Sequence, residues 1–366
     1  MKNLQSKIQP YFYGLNEFRA VAALLVYFHH IERYKSKEGY YSLYDEKYFH
    51  IFISEIGHNA VFAFFVLSGF LITYLLLVEK KQNGAIDIKA FYVRRILRIW
   101  PLYFLIVFIG FVVVPLLHQT GFFNNQLFYP MLIDKLNYLS IVFFLLFLSN
   151  FALIYFDPVV GAAHSSSVSV EEQFYLFWPF IVKYSNNTKR LFVIILIILI
   201  MKLNVNNFLP SSMHVFVEKF SIEYMCIGGL LAILLFSNNA FKKTFKSKLI
   251  FTIVVLGLLV ELFFFNQEII IAILIAFLIG FIITFKIQSD SLNFLGKISY
   301  GIYMFHPLMM YLFFPLAKKI DNVYLFNVIF YCLTLGFTLV IAKYSYKYIE
   351  LPVLQLKTKY IGKINE

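Results

Sequence analysis

Apolar windows close to the ~20 residues that a helix needs to cross a bilayer recur along almost the whole chain, and nothing else limits its fold as tightly. They fall at 14–32, 58–78, 99–117, 139–156, 190–204, 216–236, 249–265, 268–286, 299–316 and 323–346. In hydrocarbon every backbone N–H and C=O must find a partner within its own segment, so windows of this length are read as helices. The expected fold is all-α: a polytopic integral membrane protein with about ten transmembrane helices. A further run at 172–182, carrying Gln173-Phe-Tyr-Leu-Phe-Trp-Pro-Phe180, is too short to cross comfortably and predicts a short re-entrant or interfacial helix. Of 366 residues, 60% are hydrophobic and 14% charged, which excludes an ordinary soluble globular domain.

The net charge of +12 would suit nucleic acid, but the basic residues sit in short loops between windows, where the positive-inside bias accounts for them. No nucleic-acid partner is expected. With the N-terminus in the cytoplasm, the inner connections hold Lys80, Lys81, Lys89, Lys183, Lys189, Arg190, Lys242, Lys243, Lys246 and Lys248. The tail adds Lys347, Lys357, Lys359 and Lys363. The outer connection 33–57 mixes Arg33, Lys35, Lys37 and Lys47 with Glu38, Asp45, Glu46 and Glu55, and 205–215 has neither Lys nor Arg. Ten crossings with both termini cytoplasmic hold together only if 172–182 does not cross. Met1–Pro10 is polar, with Lys2 and Lys7, and the first window carries Arg19, so it reads as a retained span rather than a cleaved signal. Cys226 and Cys332 lie in apolar runs and imply neither a disulfide nor a metal site. No internal repeat and no soluble accessory domain is read, so 1–366 is expected to be one membrane domain.

Four constellations could carry chemistry. Phe91-Tyr-Val-Arg-Arg-Ile-Leu-Arg-Ile-Trp-Pro-Leu-Tyr103 puts Arg94, Arg95 and Arg98 within roughly 100° of one helical turn. Guanidiniums are rigid forks for phosphate oxygens, so the cluster suits a nucleotide-bearing donor such as acyl-CoA; a cytoplasmic topology signal is the other reading. In the first window Arg19 and His30 return to nearly the same helical face, roughly 16 Å apart along the axis, whereas His29 points about 80° away. An ionisable residue inside a span marks a functional interior by default, and His30 has the chemistry of a general base; a histidine at a helix end is the alternative. In Ser165-Ser-Ser-Val-Ser-Val-Glu-Glu-Gln173, Ser169 and Glu172 match a capping box. That leaves Glu171 to orient a histidine, to accept from a substrate hydroxyl, or simply to complement a helix dipole. Ser299, Tyr303 and His306 form one polar stripe, with His306 just before Pro307; binding to neighbouring helices explains it equally well. Ser68 and Gly69 are a small pair in the second window, where close helix approach is the leading explanation.

Together these segments resemble the membrane-bound acyltransferase-3 family. The resemblance rests on Gly14-x-x-x-x-Arg19-Ala…His30, Phe64-Phe-x-Leu-Ser-Gly-Phe70, Phe91-Tyr-x-Arg-Arg-x-x-Arg-Ile-x-Pro101, Ser169-Val-Glu-Glu-Gln-Phe-Tyr175, Ser299-Tyr-Gly-Ile-Tyr-x-x-His-Pro307 and Tyr348-Ile-Glu-Leu-Pro352. It covers about 15–352, with the motifs in the family's order. Two departures are visible: the usual Gly-Leu-Arg opening is Gly14-Leu-Asn-Glu-Phe-Arg19, and the tryptophan that often precedes the serine–glutamate run is Ser166.

The resemblance implies an integral-membrane O-acyltransferase of the cytoplasmic membrane. It would take an acyl group, commonly acetyl, from cytoplasmic acyl-CoA and place it on a hydroxyl of an envelope polysaccharide or glycolipid. It also implies that His30, Arg19 and Glu171 serve catalysis and that Arg94, Arg95 and Arg98 bind the donor, with no metal. Ser68, Ser299, Tyr303 and His306 are expected to line the cavity, which is expected between the first, second and ninth spans with His30 inside it. The rival reading is a transporter or flippase for a lipid-linked glycan, whose buried charges would line a pathway. The acceptor is left open, to be chosen by outer segments of which 33–57 and 118–138 are the longest.

Overall fold

A computed structural model describes residues 12–119 and 138–356. Lys2 and Lys7, nearly all of the 118–138 segment, and the tail lysines Lys357, Lys359 and Lys363 lie outside the described residues. All regular structure among the described residues is helical. The main helices are α1 (Leu15–Lys37), α2 (His50–Asn83), α3 (Ile88–Phe108), α4 (Tyr138–Leu145), α5 (Ser149–Tyr155), α6 (Ser166–Tyr184), α7 (Thr188–Asn204), α8 (Ser211–Lys219) and α9 (Glu223–Ser237). They continue with α10 (Asn239–Thr244), α11 (Lys248–Val260), α12 (Glu268–Phe285), α13 (Asp290–Lys297), α14 (Ser299–Ala317) and α15 (Val323–Ser345). Local chemistry sets several ends. Asp87 accepts from Ala90 N–H at 2.9 Å to start α3, and Asn322 accepts from Leu325 N–H at 3.0 Å to start α15. Gly84, at φ 73°, closes α2 in the left-handed conformation that glycine adopts without strain.

By length and apolarity, five described helices can cross a membrane: α2, α3 with its continuation to Leu117, Lys248–Phe265, α12, and α15 with its continuation to Leu356. The pair α8 and α9, bent by 49°, would make a sixth. The chain is thus an integral membrane protein, and this criterion supports fewer crossings than the ten apolar windows. The other windows fall short for local reasons. The 139–156 window is broken between α4 and α5, and 190–204 falls on α7, which has 17 residues. Helix α1 carries Glu17, Arg19, Glu32, Arg33 and Lys35, and α14 carries the polar stripe. The 172–182 run is not a separate short helix. It is the C-terminal part of the 19-residue α6, whose polar first turns include the buried Ser169.

The long α2 packs against α1 on one side and against α9 on another. At the second contact a Cβ on Gly69 would run into the Met225 carbonyl, and one on Gly228 into the Val66 carbonyl. Two backbones touch here with no side chain between them, the small-residue packing that membrane helices use. Gly69 therefore has the packing role its setting suggests. Its neighbour Ser68 points elsewhere.

Candidate active site

Helices α1, α2, α3, α6 and α14 enclose a cavity of about 120 Å³. Three side chains give it a basic character: Arg19 from α1, and Arg95 and Arg98 from α3. Facing them, Glu171 accepts from Ser68 Oγ–H at 2.9 Å through one oxygen and from Tyr175 O–H at 2.9 Å through the other. The guanidinium of Arg95 lies over the rings of Phe91 and Tyr175, 5.7 and 5.3 Å from their centroids. Its Nε is buried without a hydrogen-bond partner among the described residues, a donor still to be met. Hydroxyls of Ser167, Ser299 and Tyr303 complete the polar wall, and Val61, Phe64 and Ile99 are among the apolar remainder.

Arg94 is not part of this wall. Adjacent helical positions differ by about 100°, so Arg94 and Arg95 cannot both face inward. Arg94 turns to Glu79 of α2 and pairs with it at 3.1 Å. The expected capping box is also absent: helix α6 starts at Ser166, three residues before Ser169, and Ser169 is fully buried. Its hydroxyl hydrogen-bonds Ser149 Oγ at 2.6 Å, while Glu172 accepts from Trp100 Nε1–H at 3.2 Å. Helix–helix contacts have taken both groups from the local backbone, and Glu171 is held on two sides rather than left free.

His30 lies outside the cavity lining, contrary to the expectation that it sits within. It meets His306 of α14 through Nδ1···Nε2 at 2.8 Å, with ring centroids 5.0 Å apart. The ring of Tyr303 is the shared wall. It lines the cavity on one side and lies 5.9 Å from the His306 ring and 5.5 Å from that of His164 on the other. Its hydroxyl donates to the His164 carbonyl at 2.8 Å and hydrogen-bonds Ser167 Oγ at 2.7 Å. Phe64 packs against it, centroids 6.3 Å apart. The stripe of Ser299, Tyr303 and His306 thus joins two compartments, a basic one lined by Ser299 and a histidine one containing His306. His29 is buried elsewhere, its Nδ1 bonded to the Ile53 carbonyl at 2.8 Å.

Two participants were not anticipated from the sequence, Tyr175 and His164. Tyr175 stands one turn after Glu171, a spacing that makes such a pair neighbours on a helix. His164 lies just before the serines that open α6, with no periodicity to single it out.

A bundle of membrane helices that buries arginines, a carboxyl and hydroxyls beside a histidine pair is built as an enzyme interior or a polar pathway. The chain belongs to the acyltransferase-3 family: residues 12–344 match it, as an acyltransferase domain. It is 25% identical to the O-acetyltransferase OatA of Staphylococcus aureus over 394 residues, covering 96% of this chain and 59% of that protein. To the putative peptidoglycan O-acetyltransferase YrhL of Bacillus subtilis it is 27% identical over 380 residues, 94% of this chain and 55% of that one. An uncharacterized protein of Haemophilus influenzae is 32% identical over 192 residues, 46% of this chain and 72% of that one. The chain therefore spans little more than half the length of the two named O-acetyltransferases. No solved structure matches it.

Proposed function

We propose that this chain is an integral-membrane O-acyltransferase that moves an acyl group, acetyl first among candidates, from cytoplasmic acyl-CoA to a hydroxyl of a cell-envelope polysaccharide or glycolipid. The observation that carries the reading is the convergence of Arg19, Arg95 and Arg98 with Glu171 in one buried cavity, whose Tyr303 wall packs against His306, the partner of His30. A donor with phosphates fits fixed guanidiniums and the unmet Nε of Arg95. The cavity is smaller than the ~300–1,000 Å³ of pockets that take drug-sized ligands, so the nucleotide stays at the mouth and only the acyl arm enters. Acetyl as the group is supported by the names of both O-acetyltransferase relatives, and a glycan as the acceptor class by that of the putative peptidoglycan O-acetyltransferase of Bacillus subtilis.

The bound donor supplies an activated carbonyl. His30 Nε2 takes the proton of the acceptor hydroxyl as that oxygen bonds to the carbonyl carbon. The C–S bond breaks, and the sulfur leaves with the proton as free CoA thiol. The negative charge that develops on the carbonyl oxygen is balanced by a polar group beside the histidine pair, while Arg19, in the cavity beyond Tyr303, acts on the donor. The protein would lie in the cytoplasmic membrane with both termini inside, α1, the α4–α5 pair, α7, the bent α8–α9 pair and α14 joining the five long apolar helices to make ten crossings.

The test is purified protein in proteoliposomes with radiolabelled acetyl-CoA and a glycan acceptor. Acceptor-dependent release of CoA thiol and label transfer are expected, both lost in His30→Ala with the protein still folded and inserted. Wild-type rates in that variant would remove His30 from the chemistry. A protein that moves a lipid-linked glycan and never releases CoA would be a transporter.

A further inference from the structure

The hydrogen bonds around His306 determine where its proton sits. Its Nδ1 lies 3.1 Å from the Ile302 carbonyl oxygen. The Tyr303 carbonyl is close by, and the following residue, Pro307, has no N–H to occupy it. Carbonyl oxygens only accept, so Nδ1 of His306 carries the hydrogen. A neutral imidazole has one N–H, which leaves a lone pair on Nε2. His306 is fully buried among other imidazoles, and a cation there would have no counter-charge, so the neutral form is the one that fits.

His30 Nδ1 stands 2.8 Å from that lone pair, and only an N–H can fill the gap. His30 then carries its proton on Nδ1 and a lone pair on Nε2. No hydrogen bond among the described residues engages Nε2 of His30, which is only half-buried. The nearby imidazoles are tied elsewhere, His29 to the Ile53 carbonyl and His164 Nε2 to the Met304 carbonyl at 3.1 Å.

We propose that His306 is a positioning residue: it fixes His30 in the Nδ1–H tautomer and presents Nε2 as the proton acceptor. This deepens the transferase reading and rests on His30 being its base. The logic is that of a triad, in which a third group orients the base, with a neutral imidazole where a triad has a carboxylate. His306 touches neither donor nor acceptor in this scheme.

The test uses full-length protein in bilayers, with two readouts. Solid-state ¹⁵N NMR of histidine-labelled protein, with the His30 resonances identified by their loss in His30→Ala, is expected to show the proton on Nδ1. In His306→Leu that signal becomes a mixture of tautomers. In kinetics, His306→Leu is expected to lower kcat by about 10²-fold, with KM for acetyl-CoA within about twofold. His306→Gln, whose amide oxygen reaches the position of the lost Nε2, recovers most of kcat. A proton on Nε2 of His30 in the wild type overturns the proposal whatever the activities are. So does a His306→Leu protein with unchanged kcat, or a His306→Gln protein no better than His306→Leu although both remain folded. Activity retained in His30→Ala would defeat the base assignment alone, because the NMR result does not depend on turnover.

Discussion

Replacing Lys35 by methionine should destabilise the protein by about 3 kcal/mol, a figure that follows from what the lysine leaves behind. Lys35 and Glu32 form an ion pair at 2.6 Å near the end of α1, with side chains only 3% and 1% exposed. Removing one partner of a buried pair costs ~3–5 kcal/mol because the other is stranded. Glu32 would keep three donors: Ser42 Oγ–H at 2.8 Å, Leu43 N–H at 2.7 Å and the Tyr331 hydroxyl. The Lys35→Met cost therefore lies at the low end. Glu32→Gln leaves the ammonium without a counter-charge, held only by neutral amide oxygens such as Asn327 Oδ1 at 2.6 Å, and its cost approaches about 5 kcal/mol. With an unfolding entropy of ~2.1 cal/mol/K per residue, a chain of 366 residues shifts by only about 1.3 °C per kcal/mol, so Lys35→Met should lower Tm by about 4 °C. The double variant should lose much less than the sum of the two, since neither charge is then left alone. Fluorescence-detected melting in detergent measures all three. A Lys35→Met shift below about 1 °C, or strictly additive losses, would refute the buried-pair reasoning.

The rotation of α3 makes a second prediction: Arg95→Gln and Arg98→Gln each raise KM for acetyl-CoA by about 10-fold or more, whereas Arg94→Gln has a much smaller effect. Initial-rate kinetics check it, and equal effects at all three positions would contradict the placement of Arg94 on Glu79. Gly228→Ala should cost about 1–3 kcal/mol by forcing α2 and α9 apart, while Gly336→Ala, with nothing within 4 Å of the new Cβ, should be neutral or slightly stabilising in the same melting assay.

The helices were legible because apolar length is a local property. The arginine cluster was half legible. Its spacing limits how many of the three can face one way, but only contact with α2 reveals that Arg94 is the one turned aside. Ser169 misled because a capping box is a local pattern, and here Ser149, 20 residues earlier, claimed the hydroxyl. The His30–His306 bond joins residues 276 positions apart, and no periodicity encodes such a meeting. The polar helices were hardest to weigh by composition: Glu171, Tyr175 and Ser167 lower the apolarity of α6 while lining the interior.

Tyr303 and Phe64 have an electrical consequence. The polar groups from Arg98 to His30 would form a conductive path into the bilayer if they were continuous, and the membrane potential drives each elementary charge with about 2.3 kcal/mol per 100 mV. Two aromatic rings with centroids 6.3 Å apart are in contact and leave no room between them for a hydrated ion. On the proposed transferase reading, this contact would let the reaction proceed among polar groups inside the membrane without opening an ion path through it.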